Sequence, residues 1–201
     1  MRGKAIELIT LVAQSRAEIR AHGVSILLGA YTWNLKTGKP AEIATIAIAT
    51  KDGASVAEAG VIARALYTAR DLIHTPANIK NPLWMAQEAK KIAEEKGLSI
   101  SILAGKELAQ FGGLRAVGNS SPKPGPRFIE ITYIPKGKAR SAAALPHVVI
   151  VGKGITFDTG GISLNRPYER MTAMKSDMAG AAAALATISA LPDLQPQVKV
   201  T

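Results

Sequence analysis

From Gly97 onward the chain alternates β-prone runs with helical ones, and this alternation restricts its possible folds more than any other feature. The runs "LSISIL", "RFIEITYI" and "HVVIVG" are separated by a short helical piece and by loops rich in Gly, Pro and Ser. "HVVIVG" then leads through a Gly-rich loop to an Ala-rich helical stretch, "SDMAGAAAALATISAL", and to a last β-prone segment, "VKVT". Parallel neighbours need a crossover long enough to hold a helix, so the pattern predicts an α/β domain whose central sheet is mixed but largely parallel and flanked by helices. "HVVIVG" is apolar almost throughout, as expected of a central strand covered on both faces.

The first half is more helical. Ile6, Ile9, Val12, Ala13 and Ile19 recur near a 3.6-residue period and predict a helix over Ala5 to Ala21, ended by Gly23. An apolar stretch and turn come next in "ILLGAYTWNLKTGKP", then a β-branched strand in "AEIATIAIAT". Helices are predicted over Ser55 to His74, closed by Thr75-Pro76, and over Leu83 to Lys96, stopped by Gly97. There is no internal repeat, and the nearest thing to a linker is Lys136 to Pro146.

The 201 residues are enough for one domain with a real core, and no apolar run approaches the ~20 residues of a membrane span. Cysteine is absent, which removes disulfides and thiolate ligands and fits a reducing, cytoplasmic setting. The start, Met1-Arg2-Gly3-Lys4, is basic, but Glu7, Gln14 and Arg16 interrupt the apolar stretch after it, unlike a secretory signal. A net charge of +10 raises the question of nucleic acid. The basic residues are scattered, however, aromatics are only 4%, and the dense groups Lys80 to Lys96 and Lys123 to Arg140 alternate with Glu, Pro and Gly as solvated surfaces do. These features argue against a nucleic-acid partner.

The chemistry concentrates in "VGKGITFDTGGIS", Val151 to Ser163. Asp158-Thr159-Gly160 has the form of an aspartic-protease motif, but that chemistry needs two carboxylates sharing a proton, and the chain has one such tripeptide in a helix-rich context. A phosphate loop fails as well, because Lys153 is followed by Gly154 and no Gly lies five residues before Gly152. In open α/β sheets reactive groups gather past the carboxyl ends of strands, where Lys153 and Asp158 fall, while Asp177 opens the next helix. Taken singly, Asp177 is equally readable as a helix N-cap, and Lys153 as a solvated charge. Taken together, two carboxylates and a lysine around one Gly-rich loop suit zinc or manganese.

"VGKGITFDTGGISL" followed by "MKSDMAGAAA" closely resembles the signature of the leucyl (cytosol) aminopeptidases, two-metal exopeptidases of α/β fold. "DLIHTPANIKNP" and "GGLRAVGNSSPKPGPRFIEITY" resemble flanking motifs of that family, in the same order, so the resemblance runs from about Gly23 to the C-terminus. It implies a remnant of the family's N-terminal domain with a connecting helix over 1–50, and over 51–201 the N-terminal part of the catalytic metallopeptidase domain, an incomplete domain of zinc-exopeptidase-like fold. It also implies two divalent metal ions, manganese or zinc, with Lys153, Asp158 and Asp177 as ligands. Peptide substrates that lose N-terminal residues such as leucine, and a homo-oligomer, a hexamer in the family, are implied too. Lys153 could coordinate only as the neutral amine.

The sequence departs from the family pattern at the lysine that polarises the scissile carbonyl. Counting from Lys153 puts Asn165 in its place and counting back from Asp177 puts Arg166 there, so one residue is inserted between the two. The family's Asn-Thr-Asp-Ala-Glu-Gly-Arg segment does not occur in these 201 residues. The expectation is an internal portion of an aminopeptidase that is inactive alone. The alternative is a non-catalytic relic or interaction subunit.

Overall fold

The computed structural model describes residues 7–10, 15–35, 45–121 and 123–201. Two compact units divide it, Met1–Thr68 and Ala69–Thr201.

In the first unit, β1 (Glu7–Thr10) and β2 (Thr45–Ile48) pair in parallel from Glu7↔Thr45 to Thr10↔Ile48, with α1 (Arg16–Ala30) between them in sequence. The helix predicted over Ala5 to Ala21 is therefore corrected. Its first part includes the strand β1, and the helix begins only where a capping box permits it: the Ser15 hydroxyl accepts from Glu18 N (3.3 Å) and the Glu18 carboxylate accepts from Ser15 N (2.9 Å). Gly23 does not end the helix either. It sits buried inside α1, where a Cβ would come within 2.8 Å of the Ala59 Cβ, so glycine is required there by close helix packing. Ala59 belongs to α2 (Gly53–His74), and Arg16 and Arg20 of α1 both pair with Glu58 of that helix. The turn expected at the end of "ILLGAYTWNLKTGKP" lies outside the described residues.

The second unit begins with the C-terminal end of α2 and with α3 (Pro82–Lys96). Asn81 caps α3 by accepting from Trp84 N at 3.0 Å, Pro82 fills the first helical position, and Gly97 closes the helix in the left-handed conformation (φ 64°). An antiparallel ribbon comes next: β3 (Ser99–Ala104) pairs with β4 (Arg127–Thr132), a 3-10 turn and α4 (Gly112–Gly118) lying between them. Tyr133, just past β4, bridges antiparallel to Val200 in β6 (Lys199–Val200), and β6 pairs in parallel with β5 (His147–Val148). The short α5 (Tyr168–Met171) and the long α6 (Ala179–Leu194) lie between β5 and β6 in sequence. The result is the mixed α/β arrangement expected, built of helices and small two-stranded sheets, β3–β4 antiparallel and β5–β6 parallel, linked by the Tyr133–Val200 bridge. Leu72, Met85, Ile131, Tyr133, Leu185 and Ile188 are among the buried residues of its core.

One expectation about the sheet is corrected. Only the first two residues of "HVVIVG" form a strand, and Val149 and Val151 are 61% and 90% exposed. β6 occupies one edge of β5, and among the described residues no strand pairs with the other. An apolar run is buried on both faces only when strands and helices surround it on all sides.

Candidate metal site

Small residues bring the site together. Gly152 passes so close to the start of α6 that an added Cβ would lie 2.4 Å from Gly180 O and 2.6 Å from Ala181 Cα. Ala181 N donates to Lys153 O at 2.9 Å across this contact. The strand end and the helix start therefore meet backbone to backbone, and Lys153 Nζ reaches Asp177 Oδ1 at 2.8 Å.

Asp177 does not cap α6. The N-cap is Met178, which makes no side-chain capping bond, and Asp177 closes the preceding 3-10 turn, Thr172–Ser176. Its carboxylate is thus free to face Lys153. Asp177 Oδ2 is buried and has no hydrogen-bond partner. A buried carboxylate oxygen left in that state is costly, and a cation is one way to satisfy it.

Lys153 remains about half exposed. Its ammonium is held above the ordinary lysine value, first by the hydrogen bond to Asp177 and then by the charges of Asp177 and Asp158, against a desolvation effect of opposite sign. The structure thus pairs two of the three sequence-predicted ligands, Lys153 and Asp177, and carries Asp158 on the loop that follows Lys153.

The loop that carries Asp158 is tied internally. Asp158 Oδ1 accepts from Gly160 N at 2.7 Å, and Gly160 adopts φ 87°, with no room for a side chain because a Cβ would meet Ser163 O at 2.5 Å. Asn165 closes the loop: its backbone N–H donates to Thr159 O (2.9 Å) and its side-chain amide donates to Asp158 O (3.1 Å). The Arg166 guanidinium instead lies 4.7 Å from the centroid of the Tyr168 ring. The two candidates for the electrophile's place thus differ: the Asn165 amide is already bonded to the loop, and Arg166 is an exposed cation stacked on an exposed ring.

Among the described residues no three His, Cys, Asp or Glu side chains cluster as a metal cage. The set here has two carboxylates and an amine, and it fits a divalent ion through the orphaned Asp177 oxygen and the hard donors beside it. A cavity of about 130 Å³ lies nearby, lined by Met85, Ile131, Ile150, Gly152, Leu185 and Val200 among others. None of the three candidate ligands lines it.

A lysine that the sequence pattern groups with a solvated basic run belongs elsewhere. Lys80 is 1% exposed. Its Nζ donates to Leu72 O and Ile73 O, both at 2.9 Å, and to Met178 Sδ at 3.3 Å. Burial, and secondarily the charge of Lys175, push its pKa down to about 8. Nothing local in "NIKNP" signals this, because the carbonyls that receive Lys80 come from the end of α2.

Residues 67–201 match the model of the cytosol aminopeptidase family, catalytic domain. The chain belongs to that family. A probable cytosol aminopeptidase of Aquifex aeolicus is 35% identical over 211 residues, covering all of this chain and 41% of the relative. One from Acidithiobacillus ferrooxidans is 43% identical over 153 residues, 75% of this chain and 29% of the relative. Among solved structures, the bottromycin maturation enzyme BotP in complex with Mn superposes with a TM-score of 0.83 at 34% identity, covering 98% of this chain and 43% of that one. The apo leucyl aminopeptidase from Trypanosoma cruzi gives 0.82 at 28% identity, covering 98% and 39%. The chain thus spans about two fifths or less of the length of these cytosol aminopeptidase relatives.

Proposed function

We propose that the complete protein is a metal-dependent aminopeptidase that removes N-terminal residues from peptides, with Lys153, Asp158 and Asp177 as metal ligands. The observation that carries the reading is the pairing of Lys153 with Asp177 past one strand end, with a buried Asp177 oxygen left unsatisfied and the Asp158 loop following Lys153 in the chain, in a cytosol aminopeptidase-family chain. Divalent manganese or zinc, two ions in the complete protein, would supply Lewis-acid polarisation of the peptide carbonyl and activation of water.

The chain's own residues set the conditions for this. Asp158 and Asp177 provide oxygen donors, and Lys153 becomes a donor only after losing the proton that its pairing with Asp177 now favours. Arg166 would support the developing oxyanion: it holds the family lysine's place counted back from Asp177 and carries a charge, whereas the neighbouring Asn165 amide is committed to the Asp158 carbonyl. Peptide substrates, a homo-oligomeric assembly, a cytoplasmic location and the division into 1–50 and 51–201 belong to the same proposal. Among the described residues no helix is long and apolar enough to cross a membrane.

The test is manganese binding followed by electron paramagnetic resonance, with Asp177→Asn as comparison. Binding by the chain that is lost in the variant is the expected result. Equal binding by both would remove Asp177 from the site. A second reading, an interaction subunit without catalysis, draws on the exposed apolar Val149 and Val151 and on Ile162. Absence of metal binding by the unaltered chain would favour it.

A further inference from the structure

Given the reading of Asp177 as a metal ligand, on which this rests, we infer that Lys80 is a positioning residue that docks the Asp177 segment onto the C-terminal end of α2. The end of a helix leaves carbonyls without intrahelical partners and carries a partial negative charge. Two lysines satisfy three consecutive carbonyls there: Lys80 takes those of Leu72 and Ile73, and Lys175 takes that of His74 at 3.1 Å.

Both lysines are bound to the metal-site segment. Lys175 stands two residues before Asp177 in the chain. Lys80 bonds Met178, the residue directly after it, which is itself 0% exposed and is the N-cap of α6. Asp177 is thus held from both sides against one helix end, which fixes where its carboxylate points. A lysine needed only to cap α2 would have no use for the third contact. That contact is made 98 residues away in sequence, beside the carboxylate.

The inference is tested on the full 201-residue chain with Lys80→Met, which is one heavy atom shorter, unbranched like lysine and without donors, and Met178→Leu, which replaces the sulfur acceptor with an apolar group. Two measurements are made: manganese affinity by electron paramagnetic resonance with the metal alone, and metal-free amide hydrogen exchange over residues 173–182. Lys80→Met is expected to weaken manganese binding by about tenfold, as loss of a residue supporting a metal ligand does. Exchange in the 173–182 segment should become faster, and Met178→Leu should change both quantities in the same direction by less. If Lys80→Met does not fold, Lys80→Gln and Met178→Leu decide by the same measurements. Affinity within twofold of the unaltered chain together with unchanged exchange at 173–182 would overturn the inference. So would faster exchange confined to the α2 end, since that is what a helix cap alone predicts. If Asp177→Asn binds manganese as well as the unaltered chain, the ligand reading fails, while the exchange data still decide whether Lys80 holds the segment.

Discussion

Gly152→Ala tests the contact on which the site depends. An alanine Cβ at this position would sit 2.4 Å from Gly180 O, 2.5 Å from Gly180 C and 2.6 Å from Ala181 Cα. All three are backbone atoms in the first turn of α6, so no rotamer change can relieve the clash, and the strand end and the helix must separate. Overpacking of this kind costs roughly 1–3 kcal/mol, and the rigidity of the obstacle puts the expectation at about 2–3 kcal/mol. For a unit of this size that corresponds to a fall in Tm of roughly 6–12 °C, at about 3–4 °C per kcal/mol. Gly154→Ala is the matched control, because its Cβ would meet only the Ala181 side chain at an ordinary 3.6 Å. It should stay within about 1 kcal/mol of the unaltered chain. Circular dichroism melts and urea titrations of the three proteins give the comparison. Equal stability of Gly152→Ala and Gly154→Ala would refute the close passage of Gly152 over Gly180, and with it the physical reason that Lys153 reaches Asp177.

Gly23→Ala should destabilise the chain by about 1–2 kcal/mol in urea titrations, since its Cβ would approach the Ala59 Cβ to 2.8 Å between two helices; an unchanged midpoint would count against that packing. Folding lowers the Lys80 pKa from 10.5 to about 8, so between these values the unfolded chain holds a proton that the folded chain has released. Stability contributed by this group therefore lies at its lower level below about pH 8 and rises toward pH 10.5. Lys80→Met should lose that rise in a series of urea titrations over pH, and an identical slope in the variant would contradict it. The 201-residue chain should show no manganese-dependent hydrolysis of leucine p-nitroanilide, with Asn165→Lys giving no gain, because the site gathers only two carboxylates and the substitution supplies none; chelator-sensitive turnover by either protein would overturn this.

The local structure of the second half is legible in the sequence because its signals are short-range. Asn81-Pro82 and Gly97 bound α3 through a cap, a pre-set φ and a left-handed residue, all determined within a turn of the chain. The three candidate ligands are legible for a similar reason: a strand, a Gly-rich loop and a helix in sequence place their side chains at one end of the sheet. The start of the chain reads wrongly as a helix because β-branched residues at a helical period are ambiguous, and parallel pairing with Thr45–Ile48 decides for a strand at Glu7–Thr10. Gly23 reads as a stop because nothing nearby in sequence shows that Ala59 will press against it.

The alternation of strands and helices, the turn chemistry of the Asp158 loop and the choice of candidate ligands can thus be read from the residues alone. Long-range packing was needed to show that Asp177 faces Lys153 instead of capping α6, that Asn165 is committed to the Asp158 loop while Arg166 stays on the surface, and that Lys80 is buried. Each of these depends on which groups meet across long stretches of chain. A lysine has no intrinsic preference for the interior, and Lys80 is there because the end of α2 presents the carbonyls of Leu72 and Ile73 to its ammonium.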